Sequence, residues 1–244
     1  LHCLRYARQR AFQEKRVFKD DDLLSDVAIR EVAAILRSDI TLMISAVEMD
    51  LLQRVFKVDA GLLHYLPFMV DAEEQKSDKT FSDRQHFVSI GNFHHAPNLD
   101  AVKYLKSDIW PLIRKQMPNA ELHVYGAYPT QQVLEMNDPS SGFIVKGRAE
   151  DAFEVIGNTR VLLGPLRFGA GLKGKLAEAM ACGTPSVTTR IGSEGMAGDL
   201  EWNGYIEDDP AQFVEAAKML YIDEQLWNKK SEQGSSPGKS FVTN

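Results

Sequence analysis

Short apolar runs alternate with longer amphipathic stretches along most of the chain. From Phe87 onward, runs such as FVSIG, LHVYG and VLLG are short, β-branched and apolar, and segments with apolar residues at helical spacing separate them. This alternation predicts strands and helices in turn. It is typical of an α/β fold with a doubly wound parallel sheet, in which ligands bind beyond the carboxyl ends of the strands.

A shorter α/β pattern precedes this one. The run ITLMIS, from Ile40 to Ser45, is short, β-branched and apolar, and it predicts a strand buried on both faces. Ser45 and Glu48 have the spacing of a capping box, in which the hydroxyl and the carboxylate satisfy free amides at the start of a helix. A long polar stretch without periodicity, from about Asp71 to Gln85, predicts a domain boundary.

These patterns divide the chain into four segments. We predict an incomplete amino-terminal α/β domain at 1–72, a linker at 73–85 and a Rossmann-like domain at 86–233. The Gly/Ser-rich residues 234–244 are expected to be a disordered tail. The chain opens with Leu rather than Met, directly in a helical pattern, so we expect it to be a piece of a longer protein.

Composition narrows the function classes. The 244 residues carry a net charge of −6, which provides no global positive field for nucleic acid or an anionic membrane. Two cysteines, Cys3 and Cys182, are too few for a disulfide framework, and Cys182 is expected to be a small core residue. This cysteine usage predicts a reduced, cytoplasmic protein. No apolar run approaches the roughly 20 residues that span a bilayer, and no secretory signal is visible. No His, Cys and Asp set has metal-ligand spacing.

The segment from Pro165 to Thr189 holds the strongest candidate chemistry. A buried strand leads into a Gly-rich loop at 169–171 and then a helix, which places backbone amides where they can bind an anion. If the helix begins near Gly171, Lys175 and Glu178 share the face that starts at the loop. A cation and a carboxylate there suit a diphosphate and ribose hydroxyls. The alternative is an ordinary surface pair beside glycines that only turn the chain.

Longer strings carry a family resemblance. GNFHHAPNLDAV, AELHVYG, VKGRAED and PLRFGAGLKGKLAEAMACGTPSVTTRIGSEGM resemble, in this order, the carboxyl-terminal half of group 1 (family 4) glycosyltransferases of the GT-B fold. The resemblance covers about Phe87 to Leu226. A weaker likeness upstream, beginning with LHCLRYARQR, is to the end of the family's amino-terminal domain, whose first part this chain lacks.

The resemblance implies transfer of a sugar from a nucleotide-sugar donor to an acceptor hydroxyl with retention of configuration. It implies no metal and no cofactor, because protein cations and helix amides stabilise the departing diphosphate. The acceptor is unknown, whether a sugar, a lipid-linked glycan or a protein, and peripheral membrane contact through the missing part stays open. Two alternatives keep the fold: a sugar-nucleotide epimerase or phosphorylase, and a nucleotide-binding module without catalysis.

The family's functional positions carry over residue by residue. Lys173 and Lys175 match its basic, catalytic positions, and Glu178 matches the carboxylate that binds the ribose. The remaining donor-binding positions match loops of the family and are Gly147, Arg148, Gly169, Ala170, Gly171 and Leu172. An ordinary solvated arginine is the alternative for Arg148.

Three positions depart from the family pattern, and two histidines stay ambiguous. Ala170 stands where the family has a donor-sugar glutamate, which leaves the identity of the sugar open. Asn92 and Asn98 replace an Arg and a Lys that grip the diphosphate in many members, and a helix cap is the alternative for Asn98. His94 and His95 follow the first strand of the domain; His94 is a candidate phosphate or acceptor ligand, with a plain loop histidine as the alternative.

Overall fold

The computed structural model describes residues 1–66, 77–196 and 201–234. Part of the expected linker (73–76) and nearly all of the expected tail (235–244) lie outside the described residues. Within the described ranges, no helix combines the length and the hydropathy needed to cross a bilayer.

The regular elements are as follows. The strands are β1 (Thr41–Met43), β2 (Leu63–Tyr65), β3 (Gln85–Asn92), β4 (Leu122–Ala127), β5 (Phe143–Gly147), β6 (Thr159–Gly164), β7 (Ser186–Thr188) and β8 (Gly204–Ile206). The helices are α1 (His2–Gln13), α2 (Asp26–Ile35), α3 (Ala46–Arg54), α4 (Ala96–Tyr104), α5 (Trp110–Gln116), α6 (Gln131–Leu134), α7 (Ala152–Gly157), α8 (Gly174–Ala181), α9 (Arg190–Ser193), α10 (Pro210–Ile222) and α11 (Glu224–Gly234).

Six parallel strands form the main sheet in the order β5-β4-β3-β6-β7-β8. The doubly wound α/β prediction is therefore confirmed. Within this sheet, the chain first forms the central strand β3 and then adds β4 and β5 on one side. It returns to the centre to form β6, and β7 and β8 follow on the other side. The reversal between β3 and β6 leaves a crevice at their carboxyl ends, because the connections diverge there.

Two apolar clusters cover the two faces of this sheet. Successive strand residues point to opposite faces, so Phe87 packs in one cluster and Val88 in the other, both fully buried. α4, α5 and α10 pack against the first face, and α7 and α8 against the second. The helix α8 is thereby fixed against the sheet with its amino terminus at the crevice.

The helical segment between β3 and β4 is interrupted. A π-helical turn at Leu105–Ile109 separates α4 from α5. Pro111 lies in the first turn of α5, where it lacks an N–H and its ring would clash with the carbonyl four residues earlier in an unbroken helix. The wider turn accommodates that ring.

The amino-terminal part contains a separate parallel pair, β1 with β2. The prediction of a strand buried on both faces was wrong, since Leu42 is 57% exposed. Met43 on the opposite face packs against α3, but no described element covers Leu42. One half of the predicted capping box is confirmed, because the Ser45 hydroxyl accepts a hydrogen bond from the Glu48 amide. The other half was wrong, because the Glu48 carboxylate accepts from the backbone nitrogen of Leu1 instead.

A final helix, α11, closes the carboxyl-terminal half. It returns to the main sheet, where the Trp227 indole donates to the carbonyl of Arg160 at 2.7 Å. Beside it lies Arg84, which is fully buried and donates to the Thr184 hydroxyl and the Cys182 carbonyl at the end of α8. Cys182 is buried as predicted.

Candidate functional site

A cleft of about 490 Å³ opens at the carboxyl ends of the central strands. Its floor comes from the last residues of β3 and β4, and its walls from α8 and the loop at 166–173 that precedes it. Arg148, which follows β5, closes one side. The cleft lies at the point where the strand order reverses, and its volume is in the range of small-molecule sites.

Gly91 in the floor gives the cleft its shape. A Cβ at this position would lie 2.8 Å from the Asn98 side chain, closer than nonbonded atoms approach. The missing side chain therefore lets Asn98 reach across the end of β3 toward α8.

The helix α8 begins at Gly174, three residues later than the sequence predicted. Gly171 has a φ of +71° and Gly169 a φ of +149°, so the loop turns through conformations that glycine favours before the helix starts. Lys173 is the N-cap residue. The amides of Gly174 and Lys175, rather than those at 169–171, are therefore the free donors of the first turn.

Lys175 presents a cation to the cleft. Its Nζ donates to Asn98 Oδ1 at 2.8 Å, and Asn98 Nδ2 donates to the carbonyl of Asn92 at 2.9 Å. Burial lowers the pKa of Lys175 to about 8. The capping alternative for Asn98 was wrong, since His95 is the N-cap of α4 and the Asn98 amide bridges β3 to α8 instead.

Glu178 lies one turn further along the same face of α8, and it also lines the cleft. Burial raises its pKa, and the charge of Lys175 partly offsets that effect. Among the described residues, no donor is within hydrogen-bonding distance of its carboxylate. The two oxygens are thus available to hydroxyl groups of a ligand.

Lys173 is oriented differently from Lys175. Its Nζ donates to the carbonyl of Gly171 at 2.6 Å, and only 8% of the residue is exposed. Burial lowers its pKa to about 8, with Glu194 acting in the opposite direction. The ammonium therefore holds the loop in its turned conformation and adds positive charge behind it.

Two arginines of α1 reach the same region. Arg8 donates to the Gly169 carbonyl at 3.0 Å and forms a bidentate ion pair with Glu194, at 2.7 and 2.8 Å. Arg5 lines the cleft and lies 3.3 Å from His95 Nδ1. Sequence reasoning missed both, because basic residues recur along α1 and nothing in the pattern distinguishes those that point at the loop.

Comparison with known families gives one clear match. The family model described as "Glycosyl transferases group 1" matches residues 84–223, more than half of the chain. The chain belongs to this family. No curated protein matches its sequence.

Solved glycosyltransferase structures share the fold. TarM from S. aureus, crystallised with UDP among its ligands, superposes with a TM-score of 0.66 at 14% identity over 87% of this chain and 44% of its own. WaaG, a glycosyltransferase involved in lipopolysaccharide biosynthesis, gives 0.62 at 15% identity over 96% and 69%. HepE from Anabaena, in complex with UDP and glucose, gives 0.64 at 12% identity over 93% and 67%. The GT-B fold expectation is confirmed, and the chain spans less than half the length of TarM.

The cleft of this group 1 glycosyltransferase chain contains most of the positions that the sequence singled out. The residues that line it are Asn92, Arg148, Gly169, Ala170, Leu172, Lys173, Lys175 and Glu178. Gly147 and Gly171 shape the adjoining turns, with φ of +78° and +71°, but do not line the cleft.

His94 is the position that the structure corrects. Its ring stacks on Tyr128 with centroids 4.3 Å apart, outside the cleft wall. Its amide donates to Asn92 Oδ1, which directs the chain so that His95 faces the cleft instead. Adjacent residues at a turn point in different directions, and the sequence alone could not assign which histidine points inward.

Proposed function

We propose that the chain is the donor-binding part of a retaining glycosyltransferase, which moves a sugar from a nucleotide sugar to an acceptor hydroxyl. The observation that carries this proposal is the pairing of Lys175 and Glu178 on one face of α8, in a cleft at the reversal of strand order. Membership of the glycosyl transferases group 1 family supports the same reaction class.

Each part of the donor has a matching group. The diphosphate would bind Lys175 and the free amides at the start of α8, where the helix dipole adds to the positive potential. The ribose hydroxyls would donate to Glu178, and the base would lie against Arg148. We propose uridine as the base, since TarM and HepE are both described with UDP.

The catalytic contribution of the lysines is electrostatic. Negative charge grows on the leaving diphosphate in the transition state, and preorganised donors stabilise it in proportion to that growth. Lys175 would contact the phosphate oxygens directly. Lys173 would add charge from the loop while its Nζ holds the Gly171 carbonyl. No step in this scheme uses a metal ion.

Each segment of the chain has a proposed role in the reaction. Residues 86–233 would bind the donor, and 1–72 would be the remaining part of the acceptor-side domain, joined by a linker at 73–85. The acceptor would bind mainly to a part of the protein beyond this chain. Its class stays open between a sugar, a lipid-linked glycan and a protein.

Ala170 favours one alternative function. It lines the cleft, and its methyl group can neither donate to nor accept from a sugar hydroxyl. A nucleotide-binding module without catalysis would retain Lys175 and Glu178 and could dispense with a polar group here. Such a module would bind nucleotide without turnover even in the full-length protein.

Calorimetric titration with UDP, GDP and ADP tests the proposal. The three proteins are the parent chain, Glu178→Gln and the control Glu215→Gln. The Glu215 carboxylate lies on the exposed side of α10. We expect saturable binding of UDP, weakened about tenfold by Glu178→Gln as one charged hydrogen-bond acceptor is lost, and unchanged by the control. Equal affinity in all three proteins would refute the ribose assignment. In the full-length enzyme, a product with inverted anomeric configuration would refute the retaining mechanism.

A further inference from the structure

A second cluster of chemically active side chains lies at the opposite end of the main sheet from the cleft. His86, Glu121 and His123 place one potential ligand atom each within 4.8 Å of one another. His123 Nε2 lies 3.0 Å from Glu121 Oε2, and His86 Nδ1 lies 3.4 Å from the same oxygen. These separations are close to the roughly 3.3 Å between ligand atoms around a tetrahedral zinc ion.

The strand register explains why His86 meets Glu121 and His123, which lie far from it in the sequence. Phe87 of β3 pairs with Leu122 of β4, so His86 and His123 lie two positions apart in the ladder on one face of the sheet. Their rings stack with centroids 4.3 Å apart. Glu121, two residues before His123, shares that face. The expectation that no His, Cys and Asp set has metal-ligand spacing was based on the linear sequence. It could not detect ligands that adjoining strands bring together in space.

We propose that His86, Glu121 and His123 bind one divalent transition-metal ion, with Zn²⁺ the representative case. Two imidazoles and one carboxylate form a donor set of intermediate hardness. Such a set suits zinc, nickel and copper better than magnesium or calcium. The cluster is partly open, with side chains 33%, 39% and 17% exposed in the order of the three residues, which leaves room for water in a fourth position.

Burial and neighbouring charges act on all three side chains of the cluster. Burial lowers the pKa of both histidines, because the charged imidazolium is poorly solvated there. The hydrogen bond from His123 lowers the pKa of Glu121. Two cations oppose a positive ion here, Lys146 on β5 and Arg160 on β6, and the side chain of Lys146 is exposed to water.

The backbone at His86 gives independent support. This residue has a φ of +61°, a left-handed conformation that costs free energy for a non-glycine residue within a strand. The strained turn directs its ring against His123 and Glu121. A bound ion would hold the beginnings of β3 and β4 together, about 20 Å from the cleft along β3 at the rise of a β-strand. The site is therefore independent of the proposed donor binding.

Zn²⁺ titration by calorimetry, with Co²⁺ absorption as a second readout, tests the proposal. We expect one ion per chain with a dissociation constant of about 10 μM or tighter. Glu121→Gln, an exposed conservative change, should weaken binding at least tenfold, and His86→Ala should abolish it. The control His64→Ala removes an exposed histidine of β2 and should leave binding unchanged.

Thermal unfolding separates a built site from loose surface binding. At one fixed Zn²⁺ concentration above the parent's dissociation constant, the melting temperature of the parent chain and of His64→Ala should rise, and that of Glu121→Gln should rise less. Binding that survives in Glu121→Gln and His86→Ala but disappears in His95→Ala would place the ion beside α1 and overturn the proposal. A dissociation constant weaker than about 1 mM in the parent chain would also overturn it.

Discussion

At the scale of single residues, Lys175 shows how function and stability compete. The ammonium lies in a wall of the cleft where burial lowers its pKa to about 8, and it has Asn98 rather than a carboxylate as its hydrogen-bond partner. Because the folded pKa is below the unfolded value of 10.5, folding disfavours the charged form at neutral pH. That cost falls as the pH rises from about 8 toward 10.5. A cation kept in such a place is explained by a ligand that supplies the missing negative charge.

This residue predicts the pH dependence of nucleotide binding. A diphosphate needs the charged lysine, so the affinity for UDP should fall as the pH rises through about 8 and should be about tenfold lower at pH 9 than at pH 7. Calorimetry across this range measures the change. Lys175→Met should bind weakly at both pH values and show a much smaller step. If Lys175→Met still lost affinity about tenfold between pH 7 and pH 9, the titrating group would be another residue. Lys173→Met is the matched variant that tests the second lysine.

At the scale of elements, α8 is positioned from both ends. Asn98 bridges its first turn to β3, while Arg84 donates to the Cys182 carbonyl just beyond its last turn. Arg84 also donates to the Thr184 hydroxyl and to the carbonyl of Lys79, and no carboxylate contacts it among the described residues. Burial lowers its pKa to about 10. Its role is to satisfy buried oxygens at the carboxyl end of the helix, where a cation also complements the helix dipole.

The second prediction follows from this contact. Arg84→Met fills a similar volume but leaves the Cys182 carbonyl without its donor, so the free energy of unfolding should fall by about 3 kcal/mol. Urea denaturation measures the loss. Arg114→Met is the matched control, because Arg114 also donates to carbonyls but lies nearer the surface, and its replacement should cost about 1 kcal/mol or less. Equal losses in the two variants would show that Arg84 has no special role.

The same scale separates what the sequence could predict from what it could not. The strands and the parallel topology follow from local periodicity, and the cleft follows from the topology. The start of α8 was misplaced because a Gly-rich loop has no apolar period, so nothing marks the end of a turn such as that at Gly171. The exposure of Leu42 could not be read from its run either, since an apolar residue is buried only where another element covers it.

At the scale of the whole molecule, the apolar cores stay largely within each half, and mainly polar and aromatic contacts link the halves. Among the residues that the structure describes, the clusters covering the main sheet contain only residues from Phe87 onward. Within the same residues, Ala170 is the one member of that half that packs against an amino-terminal cluster. Arg8 spans the gap to Gly169 and Glu194, and Phe12 packs against Phe168 at 5.2 Å between centroids. Gly169 and Phe168 both belong to the loop that precedes α8. The amino-terminal half is thus coupled to the proposed site through the conformation of this loop.

The third prediction measures that coupling. Arg8→Ala removes the donor to the Gly169 carbonyl and the bidentate partner of Glu194, so the loop should become more mobile and the affinity for UDP should fall about fivefold to tenfold. Arg10→Ala, on the exposed face of the same helix, should change nothing. Glu194→Ala should reproduce part of the loss, and the double variant with Arg8→Ala should bind no more weakly than Arg8→Ala alone, since both changes break one interaction. If the losses of UDP affinity in Arg8→Ala and Glu194→Ala added fully in the double variant, Arg8 would act on the nucleotide directly through its charge. The loop would then keep its conformation without contacts from α1.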